Sequence, residues 1–140
     1  MSASAPSAKA KPAMVRGDKA LYLADGVSVL PGDIEAAFGW LERWEVAAPL
    51  RSYEQLAANF GDPEERAASE ALVIDLRQPV YDPRVLFVLR SAQTERLQKA
   101  WRQEERECRC EGFCPLPFLR ALWITKPLIL ALPAGWLKEG

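Results

Sequence analysis

Histidine is absent from the 140 residues. That absence removes Ser-His-Asp and Cys-His nucleophile pairs, histidine metal ligands and the commonest general base near neutral pH. Any acid–base chemistry would fall to Asp, Glu, Lys, Tyr or Cys, with a pKa displaced by burial or neighbours. Glycine signatures are missing as well. There is no P-loop, no dinucleotide-binding glycine pattern and no Gly-x-Ser-x-Gly elbow, which disfavours nucleotide-dependent enzymes and the common hydrolases.

Neither sign of charge dominates. Basic side chains number 18 and acidic ones 19, for a net charge of −1, so no global field steers the chain toward nucleic acid or anionic lipid. Arg84, Arg90, Arg96, Lys99 and Arg102 are interleaved with Glu95, Glu104 and Glu105, a mixture expected on a solvated face. Long apolar runs are lacking too. The most apolar stretch, 115–137, is cut by four prolines and carries Arg120 and Lys126; a membrane span needs about twenty uninterrupted apolar residues.

Cysteine is scarce, with Cys108, Cys110 and Cys114 all inside one short segment. An odd number so clustered is no secreted disulfide framework. The first thirteen residues hold small side chains and lysines with no apolar stretch of a secretory signal, and a cytoplasmic location is expected. Asn59 is the sole asparagine, and alanine and arginine abound, a codon flavour of a GC-rich bacterial or phage genome.

What is present suits one globular domain. Hydrophobic residues make up 49% and charged residues 26%, enough to build a core without staples at this length. Residues 1–15 read as a flexible tail and 16–140 as a single domain. The expected fold class is α+β, a mostly antiparallel sheet of four or five strands with helices packed on one face.

Along the chain, Ala20–Ala24 and Val27–Leu30 flank Asp25-Gly26, the pattern of a type I′ hairpin. Asp33 is a cap for a helix reaching about Val46, with Ile34, Ala37, Phe38 and Leu41 as its buried stripe. Trp40 and Trp44 fall on a neighbouring strip of that helix. Ser52 and Gln55 fit a capping box for a short helix that faces Tyr53, Leu56, Ala57 and Phe60 one way and closes at Gly61. Asp62-Pro63-Glu64-Glu65 starts a helix over 63–70, and 72–77 reads as a strand. Arg84–Arg90 encloses a continuous apolar run suited to a central strand. Ser91 caps a helix from Ala92 to about Glu107 whose apolar stripe is Leu97, Ala100 and Trp101. A short helix over 117–123 and a last strand over 128–132 follow the cysteine loop.

Three features offer chemistry. Cys108, Cys110 and Cys114 would supply soft thiolate ligands, zinc being the metal such a set suits, with Gly112 letting the loop fold around it. Lacking histidine, a tetrahedral site would need Glu107, Glu111 or another subunit's thiolate as fourth ligand. Thiols in a helix-ending loop, with no cofactor, are the simpler reading, and a Cys110–Cys114 disulfide is a further one. Asp75 inside an apolar run, with Asp82 and Arg84 nearby, would serve a small enzyme; an ordinary ion pair of Asp75 with Arg77 or Arg84 is the plainer account. Trp40 and Trp44 at a helix margin form the best partner-binding patch, since tryptophan is enriched where partners dock.

The function expected is therefore non-enzymatic: an interaction or assembly protein, such as a small phage or mobile-element accessory protein, that binds another protein or its own copy. The alternatives are a metal-binding or redox module on the cysteine loop and, more weakly, an enzyme on Asp75, Asp82 and Arg84.

Overall fold

The computed structural model describes residues 11–51, 55–72, 75–108 and 113–139. The ladder begins at β1 (Met14–Arg16), which overlaps the last two residues of the stretch expected as tail, and turns directly into β2 (Lys19–Leu23). Arg16 pairs with Lys19 across Gly17 and Asp18. Gly17 has φ +61° and Asp18 is not among the residues of positive φ, the pattern of a type II′ turn. β2 then pairs antiparallel with β5 (Val85–Leu89), β5 with β4 (Val46–Pro49), and β4 runs parallel to β6 (Ile129–Leu132), giving the order β1-β2-β5-β4-β6. A second sheet joins β3 (Val27–Ser28) to β7 (Lys138–Glu139).

The fold class is α+β, and its strands are mostly antiparallel, as the sequence reading anticipates. The helices, however, occupy both faces. Ala20, Tyr22, Val46, Ala48, Leu86 and Val88 point to one face, where Leu97 and Trp101 of α3 (Ala92–Glu107) meet Phe118, Ala121 and Leu122 of α4 (Leu116–Thr125). Leu21, Ala47, Val85 and Phe87 point to the other, covered by Ala37, Phe38 and Leu41 from α1 (Pro31–Trp40) and the turn after it, with Trp136. The period-two alternation of strand side chains requires this when every β5 residue is apolar.

Several local expectations hold. β5 is central and α3 begins at Ser91, whose hydroxyl accepts from Thr94 N–H. α2 (Pro63–Glu70) is capped by Asp62, whose carboxylate accepts from Glu65 N–H at 2.8 Å. Others do not. Asp25-Gly26 forms no hairpin. Ala24 C=O accepts from Val27 N–H at 3.2 Å, and only Gly26 has positive φ, as in a type II turn; β3 leaves to pair with β7. α1 is entered at Pro31 from Leu30, so Asp33 lies in the first turn and favours the helix dipole without capping it. The helix stops at Trp40, and Val46–Pro49, expected at its end, is a buried strand. The helix expected from Ser52 reduces to a 3-10 turn at Ala57–Asn59; Ser52 and Tyr53 lie outside the described residues. Asp75–Arg77 form no strand, and Val73 and Ile74 also lie outside.

One buried charge ties the helices. Arg120 of α4 is 2% exposed and reaches Glu104 of α3 at 2.6 Å and Ser69 of α2 at 2.9 Å. Glu65 Oε1 lies 3.0 Å from Arg120 Nη2 without hydrogen-bond alignment. Burial works against the Arg120 charge, but Glu104 and Glu65 more than offset it and hold its pKa above the ordinary value.

Two outcomes follow from this architecture. Gly17→Ala should cost about 1 kcal/mol because its φ is unsuited to an L side chain. Gly39→Ala, in α1 with open space around the added methyl, should instead gain about 0.5 kcal/mol; equal shifts of the same sign in urea unfolding would refute the assignment. Arg120→Met should cost about 3–5 kcal/mol by stranding two carboxylates, while changing Glu65 and Glu104 to methionine as well should recover most of the loss. Thermal unfolding of the single and triple variants checks this.

Candidate functional site

The sheet is open along β6. The Leu128 and Leu132 carbonyls accept from Val46 and Leu50 N–H, so the backbone of even-numbered residues faces β4. The N–H and C=O groups of Ile129 and Ala131 therefore face the outer side, where no further strand pairs among the described residues. The edge has no charge of its own, and Leu128 beside it is 58% exposed. Pro127 and Pro133 bound it. On the α4 face of the sheet, a hollow of about 290 Å³ is lined by Tyr81, Leu119, Leu122, Trp123, Lys126 and Ile129. On the α1 face, Trp136 follows β6 and stacks on Trp40 at 5.7 Å between ring centroids.

α1 ends at Trp40, and Trp44 lies in the turn after it, its N–H donating to Trp40 C=O at 3.2 Å with the four-residue spacing of a helical turn. Trp40 is 43% exposed, whereas Trp44 is half-buried. Trp44 immediately precedes Glu45, whose carboxylate accepts from Leu128 N–H at 2.8 Å, so the turn bearing both tryptophans is pinned to the start of β6.

Asp75 and Asp82 belong to different surroundings. Asp75 is exposed and forms a forked pair with Arg77 at 2.9 Å, the plain ion pair anticipated for it. The Arg77 side-chain bonds and N–H hold the Asp75 carboxyl below its usual range. Asp82 is buried and takes bonds from Arg84 Nε and Nη2 and from Arg51 Nη1, at 2.8–3.1 Å for the closest contacts. Arg84 also meets Glu139 at 2.9 Å. Together with Leu50 and Leu137 these groups line a cleft of about 320 Å³. Arg51 and Glu139 were not legible as members, since each comes from a distant segment. Arg84 and Arg90 stand at opposite ends of β5, so Arg84 lies apart from the basic side chains at the start of α3.

Cys108 follows α3 and Cys114 precedes α4, both half-buried. Cys110, Glu111 and Gly112 lie outside the described residues, and among those described no group of His, Cys, Asp and Glu is arranged to hold a metal. No described helix is long and apolar enough to cross a membrane. No family model, curated protein or solved structure matches the chain.

Tyr81 offers a test of the hollow. Burial pushes its phenol above the ordinary 10.0. The folded protein thus keeps a proton that the unfolded chain releases first, so stability is unaffected below about pH 10 and falls as pH rises through the shifted value. Tyr81→Phe should lessen that alkaline loss, read from thermal unfolding at rising pH; identical profiles for parent and variant would exclude the buried phenol.

Proposed function

We propose that this protein is a non-enzymatic assembly protein whose partner is a second copy of itself, joined through the open edge of β6. The observation that carries the reading is the self-complementarity of that edge. With the outward groups belonging to Ile129 and Ala131, an antiparallel copy related by a twofold axis at Leu130 sets Ile129 opposite the copy's Ala131. Each outward N–H then meets an outward C=O. On one face the large Ile129 lies over a small alanine; on the other Leu130 meets its own twin, the close pairing that stabilises antiparallel strands. Proline on either side limits the pairing to this short segment, which matches its own length.

An uncharged apolar edge is also a liability unless covered. On this reading Trp40 and Trp44 supply the rim of the surface, since the turn that carries them is tied to Leu128 through Glu45. A cytoplasmic location belongs to this reading, as does a binding role without catalysis.

Ala131→Pro tests it. Its N–H faces away from β4, so proline there removes an outward donor and blocks pairing without breaking the internal ladder. The parent should sediment as a dimer at high concentration and A131P as a monomer with nearly unchanged thermal unfolding. Trp40→Ala should weaken dimerisation by about tenfold or less, as a rim contact does. A parent that remains monomeric throughout the concentration series would falsify the proposal.

A further inference from the structure

The cleft at the end of β4 and β5 is built around a charge that its buried members leave over. Arg51 and Arg84 both bond to Asp82, which is 4% exposed, so among the described residues the inner set has two guanidinium charges against one carboxylate. The balancing group among the described residues is Glu139, whose side chain is 64% exposed and forms an ion pair with Arg84. It rides on β7, a two-residue strand whose one strand partner among the described residues is β3.

The guanidiniums, by contrast, are fixed. Arg51 Nε donates to Gln55 at 3.1 Å, and both arginines lie over the Phe113 ring, at 4.7 Å and 5.0 Å. Phe60 supports the arrangement edge-on to Phe113 and beneath Arg51. Two guanidiniums fixed beside an open volume of about 320 Å³, with the Arg84 Nε–Nη2 fork seated on Asp82 and Nη2 shared with the exposed Glu139, have the chemistry of an oxyanion site. Leu50, Ala134 and Leu137 give the same cleft apolar wall.

We propose that this cleft binds a small organic monocarboxylate with a short apolar body, and that Glu139 occupies the anion position until the ligand displaces it. A monoanion matches the surplus charge of the inner described set, its carboxylate takes the place on Arg84 Nη2 that Glu139 holds, and Leu50, Ala134 and Leu137 receive the body. Asp82 fixes the arginines and is not displaced, because it is buried and bonded by both. Phosphate shares the anionic chemistry but has no part for the apolar wall and brings more charge than the cleft leaves uncompensated. This inference is independent of the β6 edge.

The experiment is a calorimetric and NMR titration of the full chain with butyrate, acetate and inorganic phosphate. Butyrate should bind saturably at one site, more tightly than acetate or phosphate. Glu139→Gln removes the internal competitor and should tighten butyrate by about two- to five-fold, the scale of an exposed ion pair. Arg51→Gln should weaken it by about tenfold or more. Arg51→Lys, which keeps the charge but loses the fork, should weaken it as well and serves if the glutamine variant unfolds. Absence of saturable binding in both parent and Glu139→Gln overturns the site. Binding indifferent to Glu139→Gln overturns displacement, and phosphate binding as tightly as butyrate overturns the monocarboxylate assignment.

Discussion

Burial of β5 on both faces is the constraint from which the other elements take their places. Val85, Leu86, Phe87 and Val88 are all at most 1% exposed, and full burial of such side chains contributes about 1.5–3 kcal/mol each. A strand apolar at every position cannot leave either face in water. β2 and β4 flank it, α3 and α4 cover one side, and α1 must cover the other. Phe38 meets Phe87 edge-on at 5.6 Å, and Trp101 meets Phe118 at 5.0 Å over the opposite face. Helices on one side only would have left Val85 and Phe87 exposed.

What the sequence made legible follows from this. Capped helices and the continuous run of β5 carry local chemical signals, so Asp62, Ser91 and Val85–Leu89 were readable. Val46–Pro49 was not, because its alanines are equally at home in a helix and only tertiary pairing decides. β4 exists because Leu128 and Leu132 offer carbonyls to Val46 and Leu50, a contact more than eighty residues away in sequence. The turn chemistry misled in a different way. Asp25-Gly26 does supply the positive φ that glycine permits, but β3 finds its partner in β7, whereas the hairpin belongs to Gly17-Asp18, an equally good two-residue turn.

The candidate sites show the same division. Asp82 and Arg84 sit two residues apart and were visible as a pair, yet the cleft is completed by Arg51 and Glu139 from segments that only the fold brings there. Pro49 helps to place it. Having no N–H, it cannot extend the β4–β5 ladder past Ala47, and its carbonyl instead takes the Asp82 N–H at 2.7 Å. β4 thus parts from β5, while still paired with β6, where the buried carboxylate is needed to hold two guanidiniums. The same departure sends Arg51 toward Phe60 and Phe113.

The two ends of the structure manage polarity by opposite means, and that contrast bears on function. At the cleft, charge is concentrated and each group is held by another. At β6, charge is absent, although an edge strand is where lysine, proline or a bulge ordinarily blocks pairing. Here prolines stand only outside the strand, at 127 and 133. They restrict how far pairing can run without preventing it between them. Lys126 adopts the left-handed conformation at φ 51°, ending α4 and turning the chain at once into β6, so the edge is presented from a fixed helix end and not from a free loop. An edge limited in length, fixed in direction and free of charge is specified for one short antiparallel partner. On the function proposed for this edge, that partner is a second copy of the same strand.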